Sequence, residues 1–154
     1  ALPIFTQLQA HPLKRVLRCD KVILAGLEAT LRLYLQPEKL TETLPTLHLL
    51  TQSIDVLKEK AEQLKACLAN RLKDYNVEIE ESFAQIGSGS QPMATIPSFA
   101  VTIAEKTEAK LTALLAIFKA LEQPIIGRVE KGKIWLDLRS VADFKALLDT
   151  VEKL

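Results

Sequence analysis

The sequence predicts an α+β fold, with helices packed on one face of a small, mainly antiparallel sheet. Two observations predict this class. Apolar residues recur at helical spacing in some segments and alternate at strand spacing in others, in the element order ααββαββα. In addition, a chain of 154 residues with 48% hydrophobic residues can bury a core as one domain, without a metal or a disulfide framework.

Two helices are expected before the first strand. Asp20 is a suitable amino-terminal cap for the first, which we expect to run to about Gln36, just before Pro37. Its interior is almost continuously apolar, which predicts burial on more than one side. Pro45 fits the first turn of the second helix, whose apolar residues recur every three or four positions as far as Lys73. That helix would be about 40 Å long, longer than a compact domain of this size needs.

Two neighbouring strands are expected next. Residues 77–83 and 99–103 alternate between apolar and polar side chains, and we expect the two segments to lie side by side. Glu81 breaks the first alternation, which predicts a bulge or an exposed end. The segment 87–92 is rich in glycine and serine and is predicted to be a flexible loop, since it lacks the lysine of a phosphate-binding P-loop.

Two further helices are expected in the second half of the chain. Thr107 is a suitable cap for the third helix, which Pro124 closes. Ser140 and Asp143 resemble a capping box at the start of the last helix. Both helices carry apolar side chains at the spacing of a single buried face.

A hairpin is expected between these two helices. Segments 125–130 and 133–139 flank Lys131-Gly132, which suits a two-residue turn. That turn would place Arg128 directly across from Trp135, where the guanidinium can stack on the indole. One cation and one aromatic ring are a weak signal for a nucleic-acid base platform, so an ordinary cross-strand pair is favoured.

Composition excludes several classes of function. A formal charge of +1 is not that of a self-sufficient nucleic-acid-binding domain. No stretch approaches the length of a membrane span and no secretory signal is present, so a cytoplasmic location is expected. Cys19, Cys67, His11 and His48 are too scattered to predict a metal site, and Cys67 falls at a core position. No catalytic arrangement of Ser, His and an acid is evident, which predicts part of a larger machine or a binding module.

The densest chemistry lies in residues 11–21, named here the basic segment. Four cations fall within eight residues of it, with no acidic residue before Asp20; they are Lys14, Arg15, Arg18 and Lys21. Arg15 and Arg18 are three residues apart, so in a helix they would share a face and could bind one anion from two sides. Guanidinium groups suit phosphate particularly well. Charge alone favours a solvated segment with no ligand.

Several blocks of the sequence together resemble one protein family, in that family's order and over nearly the whole chain. They are HPLKR at 11–15 with Arg18, Asp20 and Lys21, LEATLRLYL at 27–35, LPTL at 44–47, QIGSGS at 85–90, IGR at 126–128 and WLDLR at 135–139. Each block alone is a weak signal, but the set is specific. The chain resembles the carboxy-terminal part of the bacterial L-seryl-tRNA(Sec) selenium transferases, or selenocysteine synthases.

The resemblance implies a fold-type-I enzyme dependent on pyridoxal 5'-phosphate, in which a small carboxy-terminal domain packs beside a large cofactor-binding domain. It implies that residues 1–18 are the tail of the large domain and that residues 19–154 are the small domain. The family's cofactor lysine lies in a Ser-Gly-Asp-Lys signature that does not occur in this sequence. We therefore expect no bound cofactor and no activity from this chain alone. The missing large domain and other subunits of a homo-oligomer are the implied protein partners.

The resemblance also implies a reaction for the full-length enzyme. It converts seryl-tRNA(Sec) to selenocysteinyl-tRNA(Sec), with selenophosphate as the selenium donor. The two family arginines that hold this donor match Arg15 and Arg18, the pair that charge and spacing also indicate. A free-standing α+β interaction or regulatory module with an anion-binding patch stays open as an alternative, and it predicts a compact monomer that needs no cofactor.

Overall fold

The structure is a computed structural model that describes residues 2–86, 94–105 and 108–154. Its contacts divide the chain into two units, Ala1–Thr43 and Leu44–Leu154. The first contains α1 (Leu2–Ala10), a 3-10 turn (Pro12–Lys14), α2 (Lys21–Leu33), a 3-10 turn (Pro37–Lys39) and α3 (Leu40–Thr43). The second contains α4 (Pro45–Thr51), α5 (Ile54–Arg71), β1 (Asn76–Gln85), β2 (Thr95–Ala104), α6 (Glu108–Ala120), β3 (Arg128–Glu130), β4 (Lys133–Asp137), a 3-10 turn (Leu138–Ser140) and α7 (Phe144–Val151). The predicted α+β class is confirmed.

Helix α2 begins where the sequence predicts. The Oδ1 atom of Asp20 accepts hydrogen bonds from the backbone N–H groups of Val22 at 2.7 Å and Ile23 at 2.9 Å, which satisfies two free donors of the first turn. The helix ends at Leu33, three residues earlier than expected. The predicted burial is wrong within this chain, because no residue of α2 is buried.

The expected long helix from Pro45 to Lys73 is wrong, since the chain forms two helices there. Gln52 leaves the helical conformation with a ψ of 133°, and Ser53 begins α5 by accepting a hydrogen bond from the N–H of Val56. Apolar spacing continues unchanged across this break, so the pattern could not reveal it. The carbonyl groups at the end of α4 bind a distant arginine side chain, described below.

The four strands form one antiparallel sheet in the order β1-β2-β4-β3. Strands β1 and β2 lie side by side, as predicted, and pair continuously from Asn76 opposite Ala104 to Gln85 opposite Thr95. The bulge proposed at Glu81 is wrong, because this residue lies directly opposite Phe99 in an unbroken register. Glu81 is nevertheless exposed, and β1 is an edge strand of the sheet.

The hydrophobic core lies on one face of this sheet, against helices α5, α6 and α7. The buried sheet residues of this face are Val77, Val101, Ile103, Ile134 and Leu136. The helices contribute Leu57, Ala61, Leu64, Leu68, Leu111, Leu114, Phe118 and Val151. This arrangement confirms the predicted packing of helices on one face, and Cys67 is half-buried against the same core. The predicted loop 87–92 and the predicted cap Thr107 lie outside the described residues.

The hairpin of β3 and β4 forms as predicted. Lys131 and Gly132 have positive φ angles of 53° and 72°, the combination that a type I′ turn requires. Arg128 lies opposite Trp135, and its guanidinium carbon is 5.0 Å from the centroid of the ring. This confirms the predicted cross-strand pair.

The last helix has a different cap from the one expected. Asp143 caps α7, because its Oδ1 atom accepts a hydrogen bond of 2.9 Å from the N–H of Ala146. Ser140 instead ends the preceding 3-10 turn and donates its hydroxyl to the carbonyl oxygen of Asp137 at 2.8 Å. The capping-box interpretation is therefore wrong: Ser140 does not cap α7, and Asp143 is the N-cap residue itself instead of the third residue of such a box.

Gly127 allows the chain to pass close to β4 just before the hairpin. A Cβ atom at this position would lie 2.8 Å from Cγ2 of Ile134, 2.9 Å from Cδ2 of Leu136 and 2.9 Å from the backbone oxygen of Trp135. Such distances are shorter than van der Waals contact, and the backbone oxygen cannot rotate away. We expect Gly127→Ala to lower the free energy of unfolding by about 1 to 3 kcal/mol.

Urea denaturation of the unchanged chain and of Gly127→Ala measures this effect. Gly26→Ala is a suitable control, because no atom lies within 4 Å of the corresponding Cβ position and the change improves helix propensity in α2. An unchanged urea midpoint for Gly127→Ala would show that the chain can move away from β4 without loss.

Candidate functional site

The basic segment connects α1 to α2 through two successive tight turns. Pro12–Lys14 forms a 3-10 turn, and the N–H of Leu17 then donates to the carbonyl of Leu13 at 3.0 Å. Arg15 lies at the end of the first turn, whereas Arg18 lies beyond both turns in backbone that is not helical. The condition under which the two arginines would share a face, a helix through both of them, is therefore not met. The two side chains remain three residues apart on a short, locally folded segment.

The arginines of this segment have no partner among the described residues. Arg15 and Arg18 are both exposed, and neither side chain forms an ion pair or a hydrogen bond with any other residue that the structure describes. The nearest acidic residue in sequence, Asp20, uses its carboxylate to cap α2. An anion could thus bind these guanidinium groups without first displacing an internal partner.

The helices on either side of the basic segment expose large apolar side chains. On α1 these are Ile4, Phe5 and Leu8, and on α2 they include Val22, Ile23, Leu24, Leu27 and Leu31. Val22 is 81% exposed. The polar part of α2 is narrow and contains the ion pair of Glu28 and Arg32, with 2.8 Å between the charged atoms. A helix that is apolar around most of its circumference is typical of a buried helix, so we expect another surface to cover it.

The face of the sheet opposite the core carries a polar cluster that sequence analysis did not identify. The carboxylate of Asp137 accepts hydrogen bonds from Ser98 at 2.7 Å and from Ser82 at 2.6 Å, and also from the backbone N–H of Arg139 at 3.0 Å. Ser82 and Ser98 are both buried. Register explains the cluster, since Ser82 lies opposite Ser98 and Asp137 is paired with Ala100 two residues further along. These hydrogen bonds satisfy the acceptor oxygens of the Asp137 carboxylate, which indicates a structural role for this residue.

Arg139 is the most deeply buried charged side chain of the described residues, with 4% of its surface exposed. Its guanidinium donates to the carbonyls of Leu49 at 3.1 Å, Leu50 at 2.9 Å and Gln52 at 3.0 Å, all at the end of α4. A fourth bond of 2.6 Å reaches the carbonyl of Pro97 in β2. Helix ends carry free carbonyl groups and partial negative charge, so α4 stabilises this cation. The WLDLR block was the only signal in the sequence, and it did not reveal these distant partners.

A second polar contact on this face joins Glu80 to Lys133. The ammonium of Lys133 donates to Oε1 of Glu80, and the hydroxyl of Thr102 donates to the same oxygen at 2.9 Å. The hydrogen bond from Lys133, followed by that from Thr102, lowers the pKa of Glu80. The same hydrogen bond raises the pKa of Lys133. The pair is therefore charged over a wide range of pH.

These directions predict how stability depends on pH. A lowered carboxyl pKa stabilises the fold above the unfolded value of about 4.3, and this contribution is lost as pH falls through the folded pKa. A raised lysine pKa stabilises the fold below about 10.4, and this contribution is lost as pH rises through the folded pKa. We expect Glu80→Gln to cost about 0.5 to 1 kcal/mol at neutral pH, because the pair is partly exposed.

Urea denaturation at neutral and acidic pH tests this prediction. The difference in the free energy of unfolding between Glu80→Gln and the unchanged chain should shrink at acidic pH, where Glu80 is protonated in the unchanged chain. Glu81→Gln is the matched control, since Glu81 is exposed on the neighbouring position of β1. If the free energy of unfolding depends on pH in the same way in all three proteins, the pair of Glu80 and Lys133 does not stabilise the fold.

None of the lysines that the structure describes is buried. Lys133, one of the least exposed, is held in the protonated form by Glu80, and a protonated amine is not a nucleophile. No group of three or more possible metal ligands occurs within residues 2–86, 94–105 and 108–154. Over the same residues, no helix is long and apolar enough to cross a membrane.

Together, these features define a class of protein. A well-packed α+β unit follows a helical unit in which no side chain of residues 3–43 is buried, and the helical unit carries an unpaired basic segment. This combination is typical of a part of a larger protein with several domains. The chain belongs to the family described as SelA, L-seryl-tRNA selenium transferase, whose model matches residues 3–142.

Three curated relatives place the chain within the family. It is 71% identical over 149 residues to the L-seryl-tRNA(Sec) selenium transferase of Haemophilus influenzae, a match that covers 96% of this chain and 32% of that protein. The enzyme of the same name from Mannheimia succiniciproducens is 68% identical over 152 residues, with 98% and 33% covered. That from Pasteurella multocida is 68% identical over 149 residues, with 96% and 32% covered. The chain thus spans about a third of the length of these relatives.

Proposed function

We propose that this chain is the carboxy-terminal part of a pyridoxal-phosphate-dependent L-seryl-tRNA(Sec) selenium transferase. In this proposal residues 1–18 are the tail of the large domain and residues 19–154 belong to the small domain. The full-length enzyme converts seryl-tRNA(Sec) to selenocysteinyl-tRNA(Sec) with selenophosphate, and it works in the cytoplasm, where aminoacyl-tRNA is used. The observation that carries the proposal is membership of the family over residues 3–142, together with the name that the relatives share.

Arg15 and Arg18 bind the phosphate group of the selenium donor in this proposal. Their exposure and their lack of any described partner support the role, because both guanidinium groups are available for charge-assisted hydrogen bonds. Their task is to hold the donor and orient its selenium towards the reacting carbon. Lys14 and Lys21 add positive potential, and we assign them no individual contact.

The cofactor belongs to the part of the enzyme that this chain does not include. Pyridoxal phosphate, when bound, supplies an electron sink for the amino acid carried by the tRNA. The described residues offer no buried lysine for it, so this chain contributes at most one wall of the site. We therefore expect the chain to be inactive alone.

The exposed apolar surfaces of α1 and α2 pack against the large domain in the full-length enzyme, and other subunits complete a homo-oligomer. Exposure of 81% at Val22 and 63% at Phe5 supports this, because covering such apolar surface is favourable and a continuous exposed patch of it marks an interface. The alternative of a free-standing module expects a compact monomer. The unburied first unit favours the enzyme domain over that alternative.

The proposal is tested with the full-length protein encoded by the same gene. We expect a Ser-Gly-Asp-Lys sequence upstream of residue 1, and conversion of seryl-tRNA(Sec) when selenophosphate and pyridoxal phosphate are both supplied. The 154-residue chain alone, assayed in parallel, should form no product. A full-length protein that folds, binds tRNA(Sec) and incorporates no selenium would contradict the proposal.

A further inference from the structure

The turn that carries Arg15 is capped by a histidine side chain. Nδ1 of His11 accepts a hydrogen bond of 3.2 Å from the backbone N–H of Leu13, and the carbonyl of His11 accepts one of 3.1 Å from Lys14. Nδ1 can accept only when the imidazole is neutral and its proton is on Nε2. The N–H groups of Val16 and Leu17 both donate to the carbonyl of Leu13 at 3.0 Å and close the turn around Arg15. Arg15 thus lies inside a turn that begins at Leu13, the residue whose N–H the His11 side chain accepts.

The far end of the arginine pair is also fixed by a side-chain cap. Asp20 accepts the N–H groups of Val22 and Ile23 at the start of α2. Both arginines therefore lie between two caps, in a stretch whose side chains are all exposed. Packing cannot hold such a stretch in place, so local hydrogen bonds from side chains to the backbone decide its conformation.

We propose that His11 is a positioning residue for Arg15, acting through its cap on the turn and not by contact with substrate. The proposal rests on the proposed function, in which Arg15 binds the phosphate of the selenium donor. Without the acceptor at residue 11, the N–H of Leu13 turns to water and the turn opens for part of the time. Arg15 then occupies many positions, and the entropy lost when the donor orders its side chain weakens donor binding.

Two substitutions in the full-length enzyme separate the acceptor from the ring. His11→Asn places Oδ1 where Nδ1 lies and keeps the cap, because asparagine is among the best capping residues. His11→Phe keeps a planar ring and removes the acceptor. We expect His11→Phe to raise KM for selenophosphate roughly three- to tenfold, with kcat and the KM for seryl-tRNA(Sec) unchanged. His11→Asn should behave as the unchanged enzyme does.

Arg15→Ala and the double variant His11→Phe, Arg15→Ala show whether His11 acts through Arg15. We expect the double variant to have the same KM for selenophosphate as Arg15→Ala alone, since no side chain remains to be positioned. If the rise in KM of the double variant is the product of the rises in the two single variants, His11 and Arg15 act independently and the proposal is overturned. Equal losses in both His11 variants, or no loss in His11→Phe, would also overturn it.

The same set of variants distinguishes this proposal from the proposed function. If Arg15→Ala raises KM for selenophosphate and His11→Phe does not, only the positioning role fails. If Arg15→Ala leaves that KM unchanged, the donor-binding role of Arg15 fails and the positioning role fails with it. His11→Gln, whose acceptor is one bond further from the backbone, replaces His11→Phe if the latter does not fold, and the same rise in KM is expected.

Discussion

Replacing Arg15 or Arg18 by alanine in the full-length enzyme should lower kcat/KM for selenophosphate about 10- to 100-fold, the usual cost of losing a hydrogen bond to a charged group. Neither side chain has a described partner in this chain, so the loss reports donor binding and not a broken internal ion pair. Most of the effect should be on KM, because the guanidinium binds the donor before and during reaction. Steady-state rates of selenocysteinyl-tRNA(Sec) formation against selenophosphate concentration measure it.

Two control variants make this result specific. Arg32→Ala removes an exposed arginine of α2 that is already paired with Glu28, and it should leave the donor dependence unchanged. Arg15→Lys keeps the charge but loses the planar fork of donors, so an intermediate loss is expected. Cofactor absorbance should be the same in all variants. A donor dependence that is identical in Arg15→Ala, Arg18→Ala and Arg32→Ala would contradict the assignment.

Replacing Arg139 by alanine should lower the free energy of unfolding by about 3 to 5 kcal/mol, the range for losing one partner of a buried charged network. The substitution leaves the carbonyls of Leu49, Leu50, Gln52 and Pro97 without their donor. It also opens a space between α4 and β2. Urea denaturation followed by fluorescence measures the effect, because the one tryptophan, Trp135, is buried in the same unit.

The controls for this second prediction use other cations of the same unit. Arg139→Lys keeps the charge with fewer donors, so we expect a smaller loss than for alanine. Arg71→Ala removes an exposed arginine of α5 and should change stability by no more than about 0.5 kcal/mol. Equal urea midpoints for Arg139→Ala and Arg71→Ala would show that the four carbonyls find other donors at no cost.

The sequence predicts those parts of the fold that depend on neighbouring residues. The turn at Lys131-Gly132 needs two positive φ angles, and this local requirement also fixes Arg128 opposite Trp135. Asp20 caps α2 because its side chain reaches only to the next turn of the backbone. The α+β class follows from the two periodicities, which survive small errors at the ends of each element.

The errors concern features that depend on distant residues or on single hydrogen bonds. The break at Ser53 leaves the apolar spacing intact and is stabilised by Arg139, which lies far along the chain. For the candidate site, charge and spacing identify Arg15 and Arg18, but they do not reveal that two tight turns replace a helix there. The cap by His11 was also missed, because histidine is an unusual residue for that position.

The edge position of Glu81 has a consequence for association between molecules. Strand β1 offers a row of unpaired backbone groups along its outer side, and such an edge can add strands from other chains until fibres form. Glu81 lies on the same side of the sheet as the apolar core residues, opposite Phe99. A strand of another molecule that paired with β1 would place its own side chains beside the Glu81 carboxylate and remove water from it, which is unfavourable. We therefore expect the residue that interrupts the apolar alternation to oppose pairing of this edge with a strand of another molecule.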